Sequence, residues 1–170
     1  MRAFSKILSV AAFAAFASNA SAIVHNLTAS LDGLQEVPPN ASPASGNCNI
    51  TLDDISGAMS VNCTFAGLIG GPATVAHVHG LAPAGMNAGV IFGLTVTNAT
   101  SGTVTGNGVL TAAQIAGALS TGPGDPPLTY VNIHNAQFPG GEIRGQIVPE
   151  PASLSLLVVG GLALLRRRAA

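Results

Sequence analysis

The chain has 170 residues, of which 8% are charged and 4% aromatic, with a formal net charge of −1 and no Trp. Five of the six basic residues lie within the first six or the last five positions; between Ile23 and Val148 the only base is Arg144, set against Asp32, Glu36, Asp53, Asp54, Asp125 and Glu142, which leaves that stretch at −5. A segment this poor in Lys and Arg argues against nucleic acid and anionic membrane surfaces as partners, since both are bound through clustered bases.

The first element in chain order is a leader. Arg2 and Lys6 flank the start of an apolar run from Ile7 to Ala17, and Ala20-Ser21-Ala22 offers small residues for cleavage. This is the pattern of a secretory signal peptide (1–22), with cleavage expected after Ala22. The next 126 residues (23–148) are enough for one domain with a core of its own. Runs rich in Val, Ile and Thr alternate there with Gly, Pro, Asn and Asp. They predict strands over Val24–Leu31, Asn47–Leu52, Met59–Phe65, Thr74–Gly80, Gly89–Thr97, Gly102–Leu110, Thr129–His134 and Glu142–Val148. Thr111 and Gln114 have capping-box spacing, and Gly122-Pro123 ends what they begin, so one helix is predicted over Ala112–Leu119. Eight short strands and one connecting helix make an all-β domain, expected as an antiparallel β-sandwich with Greek-key connections of immunoglobulin or superoxide dismutase type.

The chain ends (149–170) on Pro149-Glu150-Pro151, a nearly continuous apolar run of fourteen residues from Ala152 to Leu165, and Arg166-Arg167-Arg168. A free-standing spanning helix needs about 20 residues. The run is therefore short for a permanent anchor, and the arginines are expected to stay cytoplasmic. This tail resembles the PEP-CTERM sorting signal. The resemblance implies handling by a membrane protease of the exosortase type, with Pro149, Glu150, Pro151, Arg166, Arg167 and Arg168 as the signal, and transient membrane insertion. It implies the surface or extracellular matrix of a bacterium.

Cys48 and Cys63 are the only cysteines. An exported chain with an even count favours a disulfide. A hairpin folded near Ile55–Ser56 sets the two opposite each other, and two cysteines alone match no zinc pattern. The sequence also carries an internal echo. Ala76-His77-Val78-His79, a Gly/Pro loop and Gly89 to Leu94 form one unit. Val131-Asn132-Ile133-His134, another Gly/Pro loop and Gly141 to Gln146 form the other.

Four motifs follow one another through the domain. They are Leu31-Asp32-Gly33-Leu34-Gln35-Glu36-Val37-Pro38-Pro39, then Ala76-His77-Val78-His79-Gly80, then Tyr130-Val131-Asn132-Ile133-His134-Asn135, and finally Pro139 to Ile147. In this order they resemble the CHRD domain, over about Asn26 to Val148. The resemblance implies an all-β extracellular module that is not an enzyme, with exopolysaccharide or other surface proteins as partners. It transfers no catalytic residues.

The histidines carry what chemistry remains. Along a strand His77 and His79 share one face, with Ala76 and Val78 on the other. Asn132 and His134 likewise oppose Val131 and Ile133. If the two strands lie side by side, His77, His79 and His134 converge as a ligand set for copper or zinc. The alternative is that they hydrogen-bond loop backbone and hold the Gly/Pro loops. The His-Val-His strand is similar to the copper strand of Cu/Zn superoxide dismutase, but no bridging-histidine loop, zinc-ligand Asp or arginine guide accompanies it, so dismutation is not expected. His25, beside the cleavage point, is a further candidate ligand at the new N-terminus. Glu142 and Arg144 share a strand face and are expected to form a local ion pair. Glu36, ahead of two prolines, is expected to end a strand. The sequence has no Gly-x-Ser-x-Gly elbow, phosphate loop or His-Glu-x-x-His.

Overall fold

The computed structural model describes residues 21–121, 124 and 126–150. Most of the leader and the sorting tail beyond Glu150 therefore lie outside the described residues. The strands are β1 (Val24–Asp32), β2 (Ser45–Asp53), β3 (Ala58–Ala66), β4 (Ala73–Gly80), β5 (Val90–Val96), β6 (Gly102–Val109), β7 (Thr129–Asn135), β8 (Ile143–Gln146) and β9 (Val148–Pro149). The one helix, α1 (Ala112–Ala118), joins β6 to β7. Its capping box forms as the sequence predicts: Gln114 N donates to Thr111 Oγ1, and Thr111 N donates to Gln114 Oε1. These bonds satisfy amides that have no partner within the helix.

The expected sandwich is corrected to a closed barrel. Every pairing is antiparallel, and the order β2-β3-β6-β5-β4-β7-β8-β1 closes because β1 also pairs with β2, from Val24↔Asp53 to Asp32↔Ser45. A sandwich would leave strand edges with unpaired backbone groups; closure removes them. Eight strands also enclose a space just wide enough for side chains to fill. Here Leu27, Leu31, Leu52, Val61, Val131 and Ile143 fill it, each 2% exposed or less. The Greek-key element of the expectation holds, since β4, β5 and β6 follow one another and β3 returns to lie beside β6.

Alternation sets the inward face directly. β2 runs exposed-buried from Ser45 to Leu52, and β3 does the same from Ala58 to Phe65. Both cysteines fall on the buried parity, stand opposite each other in register, and are joined as a disulfide inside the core. The predicted last strand divides in two. Ile143–Gln146 pairs with β7, whereas Val148–Pro149 pairs with Thr28 and Leu27 of β1. Glu150 N donates to Asn26 O, so the first two residues of the Pro-Glu-Pro triplet lie against the barrel.

β7 breaks the alternation: all seven of its residues are buried. Its inner parity (Val131, Ile133) faces the core. Its outer parity (Tyr130, Asn132, His134) lies under loops 33–40, 81–89 and 136–142, which fold back over the outside of β4, β7 and β8. The barrel therefore carries a second, polar layer on one flank.

Candidate metal centre

The echo in the sequence becomes a local two-fold in space. β4 and β7 are antiparallel neighbours with His77 opposite Asn132, flanked by β5 and β8 respectively. His77 and Asn132 hold equivalent places in the two units, so the pseudo-axis passes between them. His79 and His134 are then related by it, one on each side. Each of these two imidazoles binds the loop of its own unit: His79 Nδ1 lies 3.1 Å from Ala88 O, and His134 Nδ1 lies 3.0 Å from Pro139 O. A carbonyl only accepts, so the proton sits on Nδ1 in both rings and each Nε2 carries a lone pair.

Those two nitrogens lie close to the third imidazole, His77. One ligand nitrogen from each of His77, His79 and His134 lies within 4.8 Å of the other two. His77 Nδ1 lies 3.3 Å from His134 Nε2. His79 Nε2 is buried and has no hydrogen-bond partner. A buried polar atom left unpaired costs about 1–3 kcal/mol. Burial lowers the pKa of all three rings, most for His134, which falls to about 4. For His134 the loop bond to Pro139 O opposes the shift, and the neighbouring histidines add to it. All three are thus neutral at neutral pH, the protonation state a metal requires. The loop bonds foreseen as the alternative role are also present at His79 and His134, and they use Nδ1, not the Nε2 that faces the centre.

Behind His79 lies a stack. Its ring is parallel to Tyr130 at 4.8 Å, and the Arg144 guanidinium sits 3.5 Å from the Tyr130 centroid on that ring's face. Tyr130 in turn holds loop 81–89 by accepting from Ala88 N at 3.0 Å. The expected Glu142–Arg144 pair does not form. Arg144 donates to Asn87 Oδ1 and Gln146 Oε1, while the Glu142 carboxylate accepts from Ile69 N, Gly70 N, Ser42 Oγ and Asn135 Nδ2. The reason is that the chain turns at Gly141 (φ 125°) just before β8, which carries Glu142 to the barrel end while Arg144 stays over β7.

Glu36, expected to end a strand, lies elsewhere. β1 stops instead at Asp32, whose carboxylate accepts from Gln35 N and Gln35 Nε2, and Glu36 is carried in the loop over the outer face, 4% exposed. Burial raises its pKa to about 7, against the opposing pull of Arg144. Glu36 Oε1 and Asn132 Oδ1 are both buried without a partner, and both crowd Gly141: a Cβ there would lie 2.4 and 2.2 Å from them. Asn132 Nδ2 donates to Gly140 O, and a hydrogen bond from the Asn132 side chain and the Arg144 charge both pull the Glu36 pKa down against the larger effect of burial.

A raised carboxyl pKa contributes stability below the unfolded value, near 4.5, and loses it as pH rises through about 7. Against wild type, Glu36→Gln should therefore gain on the order of 2 kcal/mol in relative stability between about pH 5 and about pH 8. Urea titrations at the two pH values read this difference. A pH-independent difference would mean that Glu36 ionises like an exposed carboxylate.

The chain thus folds as a closed, all-antiparallel eight-stranded barrel with a covered polar flank. The four motif stretches, distant in sequence, all contribute to that flank. The CHRD domain matches residues 27–147, and the chain belongs to that family. Neither the comparison with curated proteins nor that with solved structures gives a match. Among the described residues no helix is long and apolar enough to cross a membrane.

Proposed function

We propose that this CHRD domain is a non-enzymatic module of the bacterial surface, exported by its leader, sorted by its Pro149-Glu150-Pro151 tail, and holding one copper or zinc ion on His77, His79 and His134. The metal reading rests on His79 Nε2, a buried lone pair with no protein partner, aimed at two other neutral imidazoles. A three-nitrogen neutral set suits copper and zinc. Carbonyl partners on Nδ1 of His79 and His134 are the outer-shell bonds that orient metal-binding imidazoles. Export is supported by the leader pattern and by the core disulfide, which belongs to oxidising compartments.

The test is titration of the processed protein with Cu(I), Cu(II) and Zn(II). One equivalent should bind, and His79→Ala should weaken binding at least about 100-fold, because loss of a ligand exceeds loss of an outer-shell partner. His134→Gln, checked for an unchanged circular dichroism spectrum, guards against a folding defect. Because the imidazoles resist protonation, binding should persist into weak acid before it fades. Equal affinity in wild type and both variants would refute the centre and leave a structural surface module.

A further inference from the structure

We propose a second metal site at the processed N-terminus: Ile23-Val24-His25 as a square-planar chelate for Cu(II) or Ni(II). The inference rests on cleavage after Ala22, part of the export reading above, and does not depend on the His77/His79/His134 centre. Cleavage there makes Ile23 N a free amine and His25 the third residue. An α-amine, the two following amide nitrogens and the third imidazole's Nδ1 are four nitrogens that close fused chelate rings around one ion. All-nitrogen square-planar sites select Cu(II) or Ni(II). Neither Val24 nor His25 is a proline, so both amides can lose their protons.

The structure supplies what the sequence leaves open. His25 Nε2 lies 3.3 Å from Asp54 Oδ2. The carboxylate only accepts, so the proton sits on Nε2 and Nδ1, the chelating atom, is left with its lone pair. Ile23 N lies 2.8 Å from Asp54 Oδ1, which places the future amine and the imidazole on the same carboxylate. Ile23 is 57% and Val24 61% exposed, whereas Leu27 is the first residue sunk in the core at 1%. Lifting three residues off β2 therefore gives up a few ladder bonds, among them Asp54 N to Ile23 O, and little burial. The site is at the start of β1, the opposite end from Asp32, which pairs with Arg144 beside the histidine cluster.

The experiment starts from the full chain, exported with its leader and recovered after processing. N-terminal sequencing and intact mass come first. Ni(II) is then titrated and followed by visible absorption. Expected are one equivalent with the band of a square-planar ion, release of about three protons per ion, and weakening as pH falls. Lys6 is the only lysine in the chain, so an amine-directed acetylating reagent modifies the processed protein only at its α-amine. Acetylation and His25→Ala should each abolish the band. A protein that begins at Ile23 but shows no such band, or keeps it after acetylation, overturns the proposal. A different first residue overturns it too, and the sequencing result assigns that failure to the processing step.

Discussion

Glu142→Ala should destabilise the domain by about 4 kcal/mol, close to the upper end for a single substitution. The Glu142 carboxylate is fully buried and accepts four hydrogen bonds, from Ile69 N, Gly70 N, Ser42 Oγ and Asn135 Nδ2. Two of these come from the β3–β4 connection, one from the β1–β2 connection and one from β7. A single side chain thus ties three segments that lie 72, 100 and 7 residues away from it. Bonds to a charged acceptor contribute about 1.5–3 kcal/mol each, and truncation leaves several donors buried and unpaired. The effects are not additive, which keeps the expected loss below their sum. In a domain whose total stability is about 5–15 kcal/mol, this is a large fraction.

The same residue sets an acid limit. Burial by itself would raise its pKa, but the four donors outweigh it and the net shift is downward. A depressed carboxylate gives its full stabilisation above its unfolded pKa and loses it as pH falls through the folded value. Glu142→Gln should therefore be less stable than wild type at neutral pH, with the gap closing in strong acid. Urea unfolding of the three proteins at neutral and low pH checks both claims. A midpoint in Glu142→Ala within error of wild type would show that the loops need no such tie.

Removal of the disulfide should cost about 3 kcal/mol, the chain-entropy value for a closed loop of this length. Cys48 is 2% and Cys63 1% exposed, so reductant reaches the bond only when the barrel opens. The expected behaviour is resistance to dithiothreitol under native conditions and rapid reduction in urea. The Cys48→Ala/Cys63→Ala double variant should retain the fold, because β2 and β3 remain paired on both sides of the bond. Its urea midpoint should fall in line with that loss. Fast native-state reduction, or an unchanged midpoint, would contradict a core position.

The sequence by itself determined the strands, the helix cap and the cysteine pair, because each is written in local order. Residues 47–52 and 59–65 alternate, and a strand's side chains must alternate too. Thr111 and Gln114 sit three apart, which is the span of the capping box. The histidine arrangement was half legible. Parity put His77 and His79 on one face and His134 on the matching face of the second unit, but only the pairing of β4 with β7 brings the three together.

Tertiary structure alone decided the rest. Alternation reports which face of a strand is apolar and is silent on which edges meet, so a barrel and a sandwich read alike until β1 pairs with β2. Polar residues on an outer face read as solvent-exposed, yet loops from distant segments cover Asn132, His134 and Arg144. That cover raises the pKa of Glu36 and sends Glu142 to backbone amides rather than to Arg144. These partners lie tens of residues away from one another along the chain, and no periodicity or spacing records contacts made only when a closed barrel brings its loops to one flank.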